Sequence, residues 1–384
     1  MLDSAVKTWL EISASALQSN VRGIKATLKP DVRFMAVVKS NAYGHGTDAV
    51  VEALASEVSW FGVDSLIEAE SLMRTGEITT DHSVLILGHT PFAAHDRVVR
   101  GGFRQVVYDR PAVESLSAAA QQVGGTAKLH LKVETGTSRQ GILVDDIPAF
   151  IDWLKNVPAV QLEGVYTHYA NIEDTSDATY AMSQLKRFAD IVELIDNAGL
   201  QPELKHTACS AAVMLHPETQ FDLVRVGISL YGLWSSDLTR ENVKLQGNLI
   251  KLKPVLTWKT RLAQVKSLPA KTPISYGLTE KVTRPSRVAV VPVGYYDGYD
   301  RKLSSVASVL VRGQRAKVLG RICMNMFVVD VTDVDGAVAG DEVVLLGSQG
   351  DETITAEELA AKIGTINYEV VTRINPLLPR ILVD

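Results

Sequence analysis

Cysteine is nearly missing from this chain of 384 residues: only Cys209 and Cys323 are present, far apart in sequence. Two distant cysteines without metal-ligand spacing exclude a disulfide scaffold and a zinc-finger type of site, and they fit a reducing compartment. Charge of one sign is missing too. The net charge is −5 with no long basic run, so nucleic acid and anionic membrane surfaces have no compositional support as partners. No apolar stretch approaches the length of a membrane-spanning helix. The segment Met1-Leu2-Asp3-Ser4-Ala5-Val6-Lys7-Thr8-Trp9 has an early acid and no apolar core, which reads against a signal peptide. A cytoplasmic location is the expectation. There is no internal repeat, no low-complexity tract, and no G-x-G-x-x-G after the first buried strand. What is left is the composition of an ordinary globular protein, 46% hydrophobic and 22% charged, long enough for two domains.

Against that background one stretch stands out: Phe34-Met35-Ala36-Val37-Val38-Lys39-Ser40-Asn41-Ala42-Tyr43-Gly44-His45-Gly46. Five apolar residues run into a lysine, as a fully buried strand does when it surfaces. A lysine at such a place is partly desolvated, so its pKa tends to fall and its amine becomes a usable nucleophile or base. Taken alone, a lysine that merely ends a strand is the commoner case. The loop that follows, with Asn41, Tyr43, Gly44 and Gly46, is suited to wrapping a small anion.

Strand and helix patterns alternate through the first two-thirds of the chain. Strands read at 34–38, 60–63, 84–87, 105–108, 129–133, 162–167, 204–207 and 223–226, with helical patterns between them. Eight such strands in some 230 residues predict an α/β fold with parallel pairing, a (β/α)8 TIM barrel over residues 1–240. An open doubly wound sheet is the alternative. Thr8 to Ile12 alternates as a short strand, and these first residues are candidates to join the C-terminal domain. The pattern changes between Trp234 and Lys251. Strands and turn signals then dominate, which predicts a second, mostly β domain over 241–384 that ends in a helix at 356–363 and the segment Ile366-Asn367-Tyr368-Glu369.

In a barrel of this kind the active site lies at the C-terminal ends of the strands. Those ends supply Lys39, the segment Lys132 to Arg139, His168, Cys209-Ser210, and Arg225 with Gly227-Ile228. Each alone is more often structural. Together they make a basic pocket for an anionic ligand. The loops after strands seven and eight often hold phosphate, which places Ser210 and the backbone N–H groups of Gly227 and Ile228 there.

The run Val38-Lys39-Ser40-Asn41-Ala42-Tyr43-Gly44-His45-Gly46 resembles the pyridoxal-phosphate lysine motif of the alanine racemases, and the resemblance extends over nearly the whole chain. It implies a pyridoxal 5'-phosphate cofactor held as an internal aldimine by Lys39. It implies phosphate contacts from Tyr43, Ser210, Gly227, Ile228 and Tyr368, and His168 against the pyridine ring. Arg225 would face the pyridine nitrogen and, because arginine keeps its proton, leave that nitrogen unprotonated. The second base would be Tyr276, in Ile274-Ser275-Tyr276-Gly277-Leu278-Thr279, entering from the partner subunit of a homodimer. Its unperturbed pKa near ~10 would have to fall, with Arg225 and His168 as the cationic neighbours that lower it. Tyr295 is similar to the family's entryway tyrosine and Met324 to its substrate-carboxylate contact. Arg139 resembles the arginine that steadies carboxylate and phenol, and Lys132 the often carbamylated lysine beside it. Asn325, Cys209, Thr137-Ser138, Gln140 and Tyr296 depart from the usual pattern and bear on substrate preference.

The reading is therefore a cytoplasmic, homodimeric, pyridoxal-phosphate-dependent racemase that interconverts L- and D-alanine, supplies D-alanine for peptidoglycan, and needs no metal. A serine or broad-specificity racemase is the near rival. A decarboxylase on the same plan lacks its glycine-rich phosphate loop and cysteine-centred motif here. A non-catalytic cofactor carrier would not need Tyr276 or Met324.

Overall fold

The computed structural model describes residues 5–174, 176–247 and 250–384. Met1 to Ser4, and positions 248–249 within the expected change of pattern, lie outside the described residues. The chain divides into two compact units. One holds residues 17–40 and 51–253; the other holds 1–16, 41–50 and 254–384.

The first unit is a parallel barrel. Its strands are Arg33–Val37, Trp60–Val63, Ser83–Ile86, Arg104–Val107, Ala127–Glu134, Val160–Tyr166, Leu204–His206 and Leu223–Val226. Their apolar runs are buried on both faces, as strands covered by helices outside and side chains inside must be. Each pairs in parallel with its sequence neighbour through the Leu204 strand, and the last strand pairs with the first, Leu223 opposite Arg33. Between the seventh and eighth strands the ring is completed by Arg225 N–H to Ala208 O at 3.0 Å and Asp222 N–H to Lys205 O at 2.9 Å. Helix boundaries follow local chemistry. Ser65 caps Leu66–Arg74 by accepting from the Glu68 N–H. Asp109 caps Arg110–Val123, and Gly124 in the left-handed region ends that helix. The helix Asp237–Leu245, capped by Ser236, falls where no helix is expected from the sequence. Its polar composition hides a buried stripe of Thr239 and Val243.

The second unit is built on a ten-stranded, mainly antiparallel sheet. The N-terminal strand Thr8–Ser13 lies within it, antiparallel to Leu256–Arg261 and parallel to Arg380–Val383. Its core stacks Tyr299 on Phe327 at 4.9 Å and sets Trp258 edge-on to Tyr299 at 5.9 Å. Besides the expected strands it contains Gln264–Leu268, Glu352–Ile354 and Arg380–Val383, and the helix Asn367–Thr372, which carries Tyr368.

Candidate active site

Lys39 leaves the first barrel strand and begins a single turn, Lys39–Tyr43, that is left-handed. Ser40, Asn41, Ala42 and Tyr43 have φ between 52° and 56°, and Gly44 and Gly46 follow at 82° and 96°. Four consecutive non-glycine residues in this region cost roughly 1–2 kcal/mol each. Such strain survives where surrounding structure holds it, typically at a functional site. The sequence shows a loop here; the sense of its winding is not legible in residue types. Glu68 anchors the turn's start: its carboxylate accepts from Ser40 N–H at 2.7 Å and from Asp64 N–H at 2.6 Å. The Lys39 ammonium lies 3.4 Å from Asp64 Oδ1, with 38% of its side chain exposed. The amine is thus a paired, accessible group rather than an enclosed one.

The other strand ends of the barrel gather around the same mouth. Ser210 is buried at the start of helix Ser210–Leu215, where its Oγ accepts from Gly227 N–H at 3.1 Å and Ser229 N–H at 3.4 Å. Gly227 was expected to offer that N–H to a ligand; here Ser210 takes it, which leaves the Ser210 hydroxyl proton free to donate.

Arg225 is buried and heavily engaged. Its Nη1 donates to His206 Nδ1 at 2.9 Å and to His206 O at 3.0 Å. Its Nη2 donates to Thr167 O at 2.9 Å and Thr207 O at 3.1 Å, with His168 Nδ1 at 3.4 Å. A guanidinium has five N–H groups. Among the described residues these contacts occupy the four on the Nη atoms and leave Nε–H. The guanidinium lies 4.9 Å from the Tyr166 ring, which also carries the Lys132 ammonium at 5.6 Å. Burial first, then the positive fields of Arg225, Arg139, Lys132 and Lys39, push the His168 imidazole down to about 3. It is neutral throughout the physiological range.

Lys132 is pushed down to about 8, first by burial and then by Arg139 and Arg225. Gln140, one of the departures, sits 3.4 Å from its ammonium through Oε1 and donates through Nε2 to the Tyr108 hydroxyl at 3.2 Å. Glu134 shapes the intervening loop by collecting the N–H groups of Gly136 and Thr137 at 2.6 and 2.5 Å and of Arg139 at 3.2 Å. Arg139 itself is exposed.

Tyr43 belongs to the second unit, as does Tyr368, and their rings lie 6.2 Å apart. Arg380, which sequence reasoning passed over, holds this corner by donating to Gly44 O at 2.9 Å. On the same unit Tyr276, Tyr295, Tyr296 and Met324 form an exposed rim. Tyr295 and Tyr296 donate their N–H groups to Cys323 O and Met324 O at 3.1 and 3.0 Å, and Ser275 Oγ donates to Arg321 O at 2.6 Å. Tyr276 is 73% exposed and flanked by Ser275, Gly277 and Leu278 at positive φ. The sequence separates Tyr276, Tyr295 and Met324 by 19 to 48 residues; the structure draws them together.

Acid weakens this arrangement in a calculable sense. His168 and the buried His45, the latter pushed down to about 4 by burial, have folded pKa values below the unfolded value of 6.5. The unfolded chain therefore binds more protons between pH 6.5 and about 3, so stability is full above 6.5 and falls as pH drops. The urea midpoint is expected to fall steadily from pH 7 to pH 4. A midpoint independent of pH would show that neither histidine is buried as described.

The fold defines a barrel protein with a lysine and a cationic interior at the C-terminal ends of its strands. The alanine racemase N-terminal domain matches residues 12–235 and the alanine racemase C-terminal domain residues 255–382. The alanine racemase of Leptospira interrogans serovar Lai is 40% identical over 381 residues, 98% of this chain and 96% of that one. The crystal structure of alanine racemase from Bacillus anthracis with bound L-Ala-P superposes with a TM-score of 0.92 at 33% identity, covering all of this chain and 96% of the other. That from Bartonella henselae, with covalently bound pyridoxal phosphate, gives 0.85 at 26% identity over 98% and 100%. The chain belongs to the alanine racemase family. It is an isomerase of the racemase class, and no helix among its described residues is long and apolar enough to cross a membrane.

Proposed function

We propose that this enzyme interconverts L- and D-alanine with pyridoxal 5'-phosphate, using Lys39 and Tyr276 on opposite faces of the substrate's α-carbon. The observation that carries the reading is Arg225, a permanently protonated group whose four Nη hydrogens are taken by the barrel. Its Nε–H remains to meet a hydrogen-bond acceptor, and an unprotonated pyridine nitrogen is such a group.

The residues fit the cofactor. Lys39 would supply the amine that attaches it, and the Ser210 hydroxyl would donate to its phosphate, with Ile228 N–H, Tyr43 and Tyr368 as further contacts. Gly227 supports this set through Ser210. His168, neutral, would lie against the ring. When bound, the cofactor supplies electron withdrawal that makes the substrate's α-proton acidic. Arg225, which keeps its proton, would leave the ring nitrogen unprotonated, and that would moderate the withdrawal and favour returning a proton over other outcomes.

The protein's own part is proton handling and placement. Lys39 takes or gives a proton on one face. Tyr276 does so on the other, delivered by the partner subunit of a homodimer. Arg139 and Met324 hold the substrate carboxylate, Lys132 steadies Arg139, and Tyr295 narrows the entryway. The exposed Tyr276 rim supports the dimer, because a catalytic phenol needs a surface to enclose it. A cytoplasmic enzyme of this kind would supply D-alanine for peptidoglycan.

Incubating the protein and pyridoxal phosphate with L-alanine is expected to give an equal mixture of enantiomers by chiral chromatography. No D-alanine from protein that holds the cofactor would overturn the substrate assignment, and L-serine in parallel would test the nearest rival. Tyr276→Phe is expected to slow α-proton exchange from one enantiomer by about 10²–10⁴-fold more than from the other. Equal losses in deuterium exchange from both would remove Tyr276 as the second base.

A further inference from the structure

A chain of buried polar groups runs through the barrel interior behind Arg225. His206 Nδ1 lies 2.9 Å from Arg225 Nη1, and His206 Nε2 lies 2.9 Å from His130 Nδ1. His130 Nε2 lies 3.2 Å from Glu163 Oε2. Both histidine rings are fully enclosed, and Glu163 is 5% exposed. At the far end Arg104 Nε and Nη2 reach the two Glu163 oxygens at 3.0 and 3.4 Å, and Lys128 Nζ reaches Oε1 at 3.2 Å. Nothing in the catalytic scheme above uses His130, His206 or Glu163.

Donor and acceptor requirements fix how these groups are protonated. Arg225 can only donate, so His206 Nδ1 must accept and His206 carries its proton on Nε2. That proton points at His130 Nδ1, which must accept in turn, so His130 carries its proton on Nε2. Glu163, ionised, can only accept. One direction alone satisfies every link: Arg225 to His206 to His130 to Glu163. The reverse direction would set an N–H of His206 against an N–H of Arg225.

We propose that Glu163 is a positioning residue for the cofactor-facing guanidinium: its carboxylate fixes, through His130 and His206, the direction of a hydrogen-bond chain that ends on Arg225. The inference rests on the reading of Arg225 given above. Two features hold the rings in place for it. Tyr166 stacks flat on His206, with centroids 4.7 Å apart and planes within 2°. Gly164 gives His130 room, since a Cβ there would lie 2.4 Å from His130 Nδ1. Without the carboxylate the chain loses the end that accepts and never donates. In Glu163→Gln the Oε1 position, which faces Lys128 Nζ and Arg104 Nη2, draws the amide oxygen; this sets the NH2 at the Oε2 position toward His130 and favours a proton on His130 Nδ1.

Histidine labelled with 15N tests this, because the chain has eight histidines and His130→Asn and His206→Asn assign the two signals. In the native protein both rings are expected neutral with the proton on Nε2. In Glu163→Gln at least one is expected to carry it on Nδ1. The kcat is then expected to fall about ten-fold with substrate KM within about two-fold, and Glu163→Asp to restore both signals. A native ring protonated on Nδ1, or on both nitrogens, overturns the proposal. So do unchanged tautomers in Glu163→Gln, whatever its activity. The native spectrum decides even where that variant fails to fold. Racemisation with Nδ1–H rings would sink the chain alone, and Nε2–H rings without racemisation would sink the proposed function alone.

Discussion

Lys39→Ala is expected to abolish racemisation, with a loss of at least about a thousand-fold, and to remove the visible absorbance of the bound cofactor. Both losses follow from one amine. In the proposed scheme Lys39 attaches the cofactor and also exchanges the α-proton on one face, so no other group inherits either role. The strained turn strengthens the expectation. Ser40 to Tyr43 hold φ values of 52° to 56°, and Glu68 clamps the turn's start through Ser40 N–H. That frame fixes where an amine at position 39 emerges; no neighbour can be repositioned into its place. The variant should fold, because the Lys39 side chain is partly exposed and is paired with the exposed Asp64. Far-ultraviolet circular dichroism should match the native protein while the visible band is gone. An unchanged visible band would sink the assignment of Lys39. A lost band with racemisation intact would show that cofactor attachment and proton exchange belong to different residues.

The barrel was legible because its chemistry is repetitive. Short apolar runs such as those at Phe34 and Val84, each followed by a helical pattern, leave few alternatives to βαβ units. The strand-end residues were legible for the same reason: once the strands are counted, their C-terminal ends are known. Three parts were not. Gln264–Leu268 is a mostly exposed strand, without the apolar alternation that betrays a half-buried one. The winding of the turn after Lys39 depends on contacts rather than on residue types, and only Gly44 and Gly46 hint at it. The His130–His206–Glu163 chain hides inside strands that otherwise read as ordinary core. A signal existed there. His130, Lys132 and Glu134 alternate along one strand, and polar groups at period two in a central barrel strand mark one polar face. Reading that face would have pointed to Lys132 and to the histidine chain together.

The second large effect is expected at Gly44, where backbone strain and the site meet. Gly44 has φ of 82°, and a Cβ there would lie 2.0 Å from the Val371 carbonyl oxygen and 3.2 Å from Thr372 Cα. Val371 and Thr372 belong to Asn367–Thr372, the helix that carries Tyr368, so Gly44→Ala must push that helix away. The left-handed conformation alone costs an alanine about 1–2 kcal/mol. Displacing packed backbone adds about 1–3 kcal/mol, for a total of about 2–5. Arg380 makes yielding harder, because it donates to Gly44 O from Nη2 at 2.9 Å and Nε at 3.2 Å. Gly76 is the control: its φ is 81°, and a Cβ there meets nothing within 4 Å. Gly76→Ala is therefore expected to show the conformational cost alone, about 1–2 kcal/mol in urea unfolding. Gly44→Ala should lose about 1–3 kcal/mol more and, as Tyr368 shifts from Tyr43, bind pyridoxal phosphate at least about ten-fold more weakly by fluorescence titration, which is about 1.4 kcal/mol. Equal losses in the two variants would mean that the helix yields freely. Reduced stability with unchanged cofactor affinity would remove Tyr43 and Tyr368 from the phosphate contacts and leave that role to Ser210 and the barrel's N–H groups.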